Sequence, residues 1–361
     1  MRLACTTMAC GLLLAAGCTD ERDDEGGLAT ATAPVSASGV SAGGSATEAS
    51  GDDGLDDEGG AGTGAKLDVA FDSDGPDSGN PDGPGQGCEK VDFLFVIDGS
   101  GSMGDNQDSL IASFPGFIES IRSTLDDAQD YHIMVVDTDA AWGSACELFC
   151  ALGTCPIIPQ YPCGGGPPSQ CDTQLGAGVT FTMASDAPNV PCNFSTGARY
   201  MDSSEPDLTS AFQCSAKVGS DGDSSERPMG AMVGALSEDL GQPGGCNEGF
   251  VREDAILVVT IITDEEDSNS NGSPEGWYQN IVASKALDPT AIVMLGLIND
   301  IDQPAPVCPA ESQDPAMLRD FIERFPNHIR GSVCEPSYNA FFQQAVDLIN
   351  TTCDDFVPPV G

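Results

Sequence analysis

Basic side chains are what this 361-residue chain has least of: 13 Lys and Arg stand against 57 Asp and Glu, a formal charge of -44. So acidic a surface repels phosphate, which excludes nucleic acid as a partner and leaves no polybasic patch for anionic lipid. Histidine is nearly missing, with only His132 and His328. No H-E-x-x-H occurs and residues 88–361 contain no G-x-S-x-G, so two common hydrolase arrangements are out. The absence of any C-x-x-C pair removes the usual thiol-oxidoreductase reading. No run of apolar residues is long enough to span a bilayer.

What is present begins with an export signal. Arg2 precedes Leu12-Leu13-Leu14-Ala15-Ala16, then Gly17-Cys18, an apolar stretch of signal-peptide length. The end of this stretch resembles a bacterial lipoprotein lipobox. That resemblance implies cleavage after residue 17 and a lipid on Cys18, with the acyl chain as the membrane contact and an outer-membrane or cell-surface location. From 19 to 87 the composition shrinks to Gly, Ala, Ser, Thr, Asp and Pro, too poor in large apolar residues to bury a core, so 18–87 is expected to be a disordered acidic tether. Residues 1–87 hold 16 acids and 3 bases, which leaves 41 against 10 in the folded part.

Fifteen cysteines occur, and 12 of them fall between Cys88 and Cys353. An even number in an exported chain argues for disulfides, with Cys88, Cys308, Cys334 and Cys353 among the candidates. Cys146, Cys150, Cys155, Cys163 and Cys171 have no nearby histidine, so a zinc site is disfavoured there.

The most informative run is Asp98-Gly99-Ser100-Gly101-Ser102, directly after the apolar residues 91–97. A carboxylate and two hydroxyls at i, i+2 and i+4 point to one side of an extended loop, and the glycines let the backbone curl. All the donors are oxygen, which suits a hard divalent cation: magnesium first, with manganese or calcium also compatible. A second apolar run, 255–262, ends in Thr263-Asp264-Glu265-Glu266-Asp267, where a neighbouring parallel strand would deliver another carboxylate.

This pair of strand-end motifs resembles the von Willebrand factor type A domain and its metal-ion-dependent adhesion site, over residues 88–356. The resemblance implies that Ser100 and Ser102 bind the metal directly and that Asp98 and Asp264 support it, largely through water. The family's remaining ligand, a Thr on a loop opening a helix, is missing. Asp221-Gly222-Asp223-Ser224-Ser225-Glu226-Arg227-Pro228 stands in its place, with Glu226, Ser224 or Ser225 as the substitute. Glu265 stands where the family has Gly. In such domains the chain enters and leaves on one side of the sheet, which implies a Cys88–Cys353 disulfide.

The expected fold is α/β, a doubly wound, mostly parallel sheet flanked by helices. Strands are read at 91–97, 133–136, 255–262 and 291–298, with a fifth near 328–333. Leu110, Phe114, Phe117, Ile118, Ile121 and Leu125 share one helical face, with Pro115-Gly116 expected to kink that helix or mark its start. Helices are also read at 230–240, from the Ser273-Pro274 cap to Leu287, and after a Ser337 cap along Tyr338, Phe341, Phe342, Ala345, Leu348 and Ile349. Between about 140 and 221 the pattern stops, and a Gly-, Pro- and Cys-rich insertion is expected near the metal.

Three functions follow from these residues. A lipid-anchored binding or adhesion module would use the cation to engage a protein or surface ligand, through an acidic residue completing the metal shell. A structural envelope protein would carry a non-adhesive metal site, the more so if Glu226 adds a third carboxylate. A metal-dependent hydrolase lacks an evident general base, so the chain is read as a non-enzyme.

Overall fold

The structure is a computed structural model that describes residues 88–124, 130–139, 169–182, 184, 186–220 and 225–359. All of them fall within one compact unit, Pro76–Gly361. The signal segment, Cys18, the acidic tether, Cys146, Cys150, Cys155, Cys163 and Ser224 lie outside the described residues.

Six strands form one sheet: β1 (Lys90–Ile97), β2 (Asp130–Asp137), β3 (Met201–Asp202), β4 (Ile256–Ile262), β5 (Ile292–Ile298) and β6 (Asn327–Ser332). Their order is β3-β2-β1-β4-β5-β6, parallel throughout except for β3, which runs antiparallel at one edge. The central strands read as predominantly apolar runs because both faces are covered; every residue of β4 and β5 is buried, whereas β6 at the other edge is half-buried along its length.

Successive residues of β1 enter opposite cores. Phe93, Phe95 and Ile97 face the layer of α1 (Gly104–Thr124), α2 (Leu208–Ala216) and α7 (Asn339–Asp355), where Phe114, Phe117, Phe212 and Phe342 gather. Leu94 and Val96 face α3 (Pro228–Ala235), α5 (Pro274–Ala283) and α6 (Ala316–Ile322), through Met229, Met232, Trp277 and Phe321. A short α4 (Glu238–Gly241) follows α3.

Several elements differ from their sequence expectation. Pro115 sits inside α1, which starts at Gly104 and continues past the proline; burial of Phe114, Phe117, Ile118 and Ile121 outweighs the backbone bond lost to residue 111. The expected helix at 230–240 is two helices, because Ser237 caps α4 with its own hydroxyl and interrupts the run. Helix α5 ends at Ala283, and Ala286 and Leu287 adopt positive φ beyond it. Tyr338 rather than Ser337 caps α7; the Ser337 hydroxyl accepts from Asn339 N at 3.4 Å.

The expected insertion is in part integral to the fold. Met201 pairs with Ile133 at the sheet edge, and Phe212 is fully buried, stacked on Phe114 with ring centroids 3.5 Å apart. Among the described residues four disulfides are present: Cys88–Cys353, Cys171–Cys246, Cys192–Cys214 and Cys308–Cys334. Among the described residues no helix is long and apolar enough to cross a membrane.

Candidate metal-binding site

Strand order places the site. From β1 the sheet grows one way through β2 and the other way through β4, so the loops leaving β1 and β4 diverge and open a crevice at the carboxyl ends of the strands. Asp98 and Asp264 lie one and two residues past those ends, and Asp98 N donates to Ile262 O at 3.0 Å.

Asp98 is fully buried, and both its oxygens are engaged. Oδ1 accepts from Ser100 N at 2.7 Å and Oδ2 from Thr263 Oγ1 at 2.5 Å. It therefore curls the serine loop and ties it to the loop after β4. Ser100 Oγ and Ser102 Oγ lie 3.3 Å apart, and Ser102 Oγ donates to Asp264 Oδ1 at 3.0 Å across 162 residues of chain. Four sequence-selected side chains are thus brought together: Asp98, Ser100, Ser102 and Asp264. The chain resembles a von Willebrand factor type A domain. Strand order and this cross-strand contact carry the resemblance.

Neither a protein-family model nor a curated protein matches the sequence. Among solved structures, proximal thread matrix protein 1 from the mussel byssus aligns at 10% identity over 73% of this chain and 48% of its own, with a TM-score of 0.36. A von Willebrand factor type A protein from Catenulispora acidiphila aligns at 11% identity over 72% of this chain and 42% of its own, also with a TM-score of 0.36. The chain spans less than half the length of either.

The fifth candidate, Glu226, stands beside this group. Arg227 N donates to Thr138 O at 2.8 Å and Glu226 bridges Asp139 in antiparallel fashion, which pins the loop before α3 to the end of β2. Glu226 is buried. Its Oε2 accepts from Thr138 Oγ1, while its Oε1 is buried with no hydrogen-bond partner. Ser225, the other described substitute for the missing Thr, is half-buried and has a partner of its own.

Asp137 completes an acidic wall. An added Cβ on Gly99 would sit 3.0 Å from Asp137 Oδ1, so the first glycine of the motif is what allows β2 so close to the serine loop. Burial pushes the Asp98 carboxyl up to about 6, against the hydrogen bonds from Thr263 and Ser100, with the charge of Asp264 adding to the rise. Burial, then Asp98 and Asp137, push Glu226 up to about 10, and burial also holds Asp137 well above its ordinary value.

The donors fit a hard cation: two carboxylates, two hydroxyls and a buried carboxylate oxygen without a donor nearby. Among the described residues no three His, Cys, Asp or Glu side chains gather as a metal site by themselves. Any cation held here would therefore lean on the serine hydroxyls of Ser100 and Ser102.

Two supporting residues were missed in the sequence. Thr263 joins Asp98 to the β4 loop and also accepts from Glu265 N at 3.1 Å. Gln107, fully buried in α1, donates through Nε2 to Asp98 O at 2.9 Å and Gly219 O at 2.7 Å, and accepts from Gly219 N at 3.1 Å. A signal for Gln107 existed: Met103, Gln107, Leu110 and Phe114 share one helical stripe, and a polar residue on that stripe needs internal partners.

The raised carboxyls make a pH prediction for the cation-free protein. A folded-state value above the ordinary 3.8 means the fold favours protonated Asp98; that contribution is complete below about pH 4 and is lost as pH rises through 6. A shift of this size corresponds to about 3 kcal/mol. Thermal melts in chelator should therefore show stability falling from pH 5 to pH 8, and saturating magnesium should flatten the fall. A chelator-treated protein equally stable at both pH values would contradict the buried-acid account.

Proposed function

We propose that residues 88–356 form a divalent-cation-dependent binding module, held at the outside of a cell by lipid on Cys18 and the acidic tether after it. The contact between Ser102 and Asp264 supports this reading above all, because it draws an oxygen-only donor set together at the crevice where the sheet order switches. Two carboxylates balance a divalent ion and two neutral hydroxyls leave it electrophilic, able to take an oxygen from a partner. Magnesium is the cation expected, with manganese or calcium as alternatives. The four disulfides among the described residues support an oxidising, exported location.

Binding rather than catalysis is favoured by where the histidines sit. His132 and His328 lie near the amino ends of β2 and β6, at the opposite end of the strands from the serine loop. Each is engaged with a backbone carbonyl, Phe250 O at 2.9 Å and Phe325 O at 2.6 Å. A structural role for the cation has one observation of its own, the buried Glu226 oxygen that would add a third carboxylate.

Calorimetric titration of magnesium and manganese into the full chain tests the reading. Wild type should bind saturably, and Ser100→Ala should lose binding while its circular dichroism stays unchanged. Equal cation affinity in the two proteins would remove the serine loop from the site.

A further inference from the structure

Helices α1 and α2 pack antiparallel on one face of the sheet. Lys217, just past the end of α2, bonds Asp108 in the second turn of α1 at 2.6 Å, and Phe212 stacks on Phe114 further along. Helix α2 begins only at Leu208, so beyond Phe114 the side of α1 turned toward it meets the turn residues Pro206 and Asp207 instead of a helix. An open groove of about 330 Å³ results, a volume in the range that holds a small ligand.

The α1 wall consists of Pro115, Ile118, Glu119 and Arg122, whose i, i+3, i+4, i+7 spacing makes one helical stripe about 10 Å long. Ile118 and Leu208 are buried and form an apolar floor, while Pro115 and Pro206 stand exposed at the rim. Three carboxylates border the groove. Glu205 is fixed by accepting from Ser195 N at 2.7 Å, and Asp207 by accepting from Ser210 N at 3.1 Å, which holds its carboxyl below the ordinary range. Glu119 is exposed and has no hydrogen-bonded or ion-paired partner among the described residues. The cation of the lining, Arg122, stands at one end of the stripe, where it donates to Tyr131 Oη at 2.6 Å.

We propose that this groove binds a short extended peptide in which a lysine or arginine lies between apolar residues. Its length matches three residues of extended chain at about 3.3 Å each. The apolar neighbours in such a segment cover the floor of Ile118 and Leu208, while the long stem of the basic residue carries its charge to Glu119, Glu205 and Asp207 at the rim. A bare cation gains little at acids this exposed, because solvent screens them, so the apolar floor is what makes a peptide the fitting occupant. The groove begins about 16 Å along α1 from Gly104, where the helix leaves the serine loop, so this binding does not depend on the cation reading above.

The test is an NMR titration of the isotope-labelled full chain, in chelator, with a blocked leucine-lysine-valine peptide. Saturable shifts at the amides of Glu119 and Thr209 are expected, with Ser100 and Ser102 unmoved. Glu119→Lys changes an exposed, unpaired position, so it should leave the fold intact and weaken binding about tenfold. Thr209→Trp fills the groove from the exposed side of α2 and should abolish binding. The analogue with glutamine for lysine, and spermidine, which has charge without apolar side chains, should each bind about fivefold more weakly than the peptide. Absence of a saturable shift with the peptide overturns the proposal, and so does equal affinity in wild type and Glu119→Lys. Equal affinity for the glutamine analogue or for spermidine overturns the assigned ligand chemistry. Shifts confined to the serine loop would put the peptide at the cation site and overturn the groove as its place of binding.

Discussion

Replacing Cys88 and Cys353 together with serine is expected to lower the free energy of unfolding by about 4–5 kcal/mol. The two residues lie just before β1 and within the last helix, α7, both buried, with Cα atoms 4.7 Å apart and 265 residues between them. Closing so long a loop restricts the unfolded chain far more than the folded one. The chain-entropy relation alone gives about 5–6 kcal/mol for a loop of this length, and measured losses usually run below it. For a domain of this size the change corresponds to a melting temperature lower by roughly 7–9 °C. Urea melts of the oxidised wild type and the double variant, both in chelator, would measure it. A difference under about 1 kcal/mol would show that the unfolded chain is already held compact by other means, such as the remaining disulfides.

A second large effect is expected at Gln107. Its side chain ties α1 to two loops at once: the carbonyl of Asp98 on one side and both backbone groups of Gly219 on the other. Gln107→Ala strands two carbonyls and one amide in a dry interior and should cost about 3–4 kcal/mol. It should also loosen Asp98, whose own oxygens hold Ser100 N and Thr263 Oγ1, and so weaken magnesium binding about tenfold. Gln107→Glu keeps the shape and the acceptor for Gly219 N but loses the donor to both carbonyls, so it should show the same loss of affinity with less cavity. The readout that separates positioning from mere stability is magnesium affinity measured well below the melting temperature of each variant. Unchanged affinity in both would reduce Gln107 to a structural residue.

How far these sites could be read in advance depends on whether the determinant is local. The motif at 98–102 was legible because its chemistry lies within five residues, and Asp264 because it follows an apolar run of the same kind. Thr263 was not, since nothing in a Thr at a strand end says that its hydroxyl will meet a carboxylate 165 residues away. Glu226 was legible as near the site, whereas its turn toward Thr138, with one oxygen left without a partner, was not.

By itself the sequence determined the parallel α/β class, because predominantly apolar runs of seven or eight residues alternating with amphipathic helices call for a sheet covered on both faces. It also marked out the oxygen-only donor set of the candidate site, Asp98, Ser100, Ser102 and Asp264. Tertiary structure alone decided the strand order and the division of the apparent insertion. Met201–Asp202 is too short to register as a strand, and Phe212 is one aromatic among polar and small neighbours. Both join the fold only because the edge of β2 and the face of α1 offer them partners. Pairing across a sheet and burial against a helix act between segments distant in sequence, whereas periodicity and motif chemistry act within them.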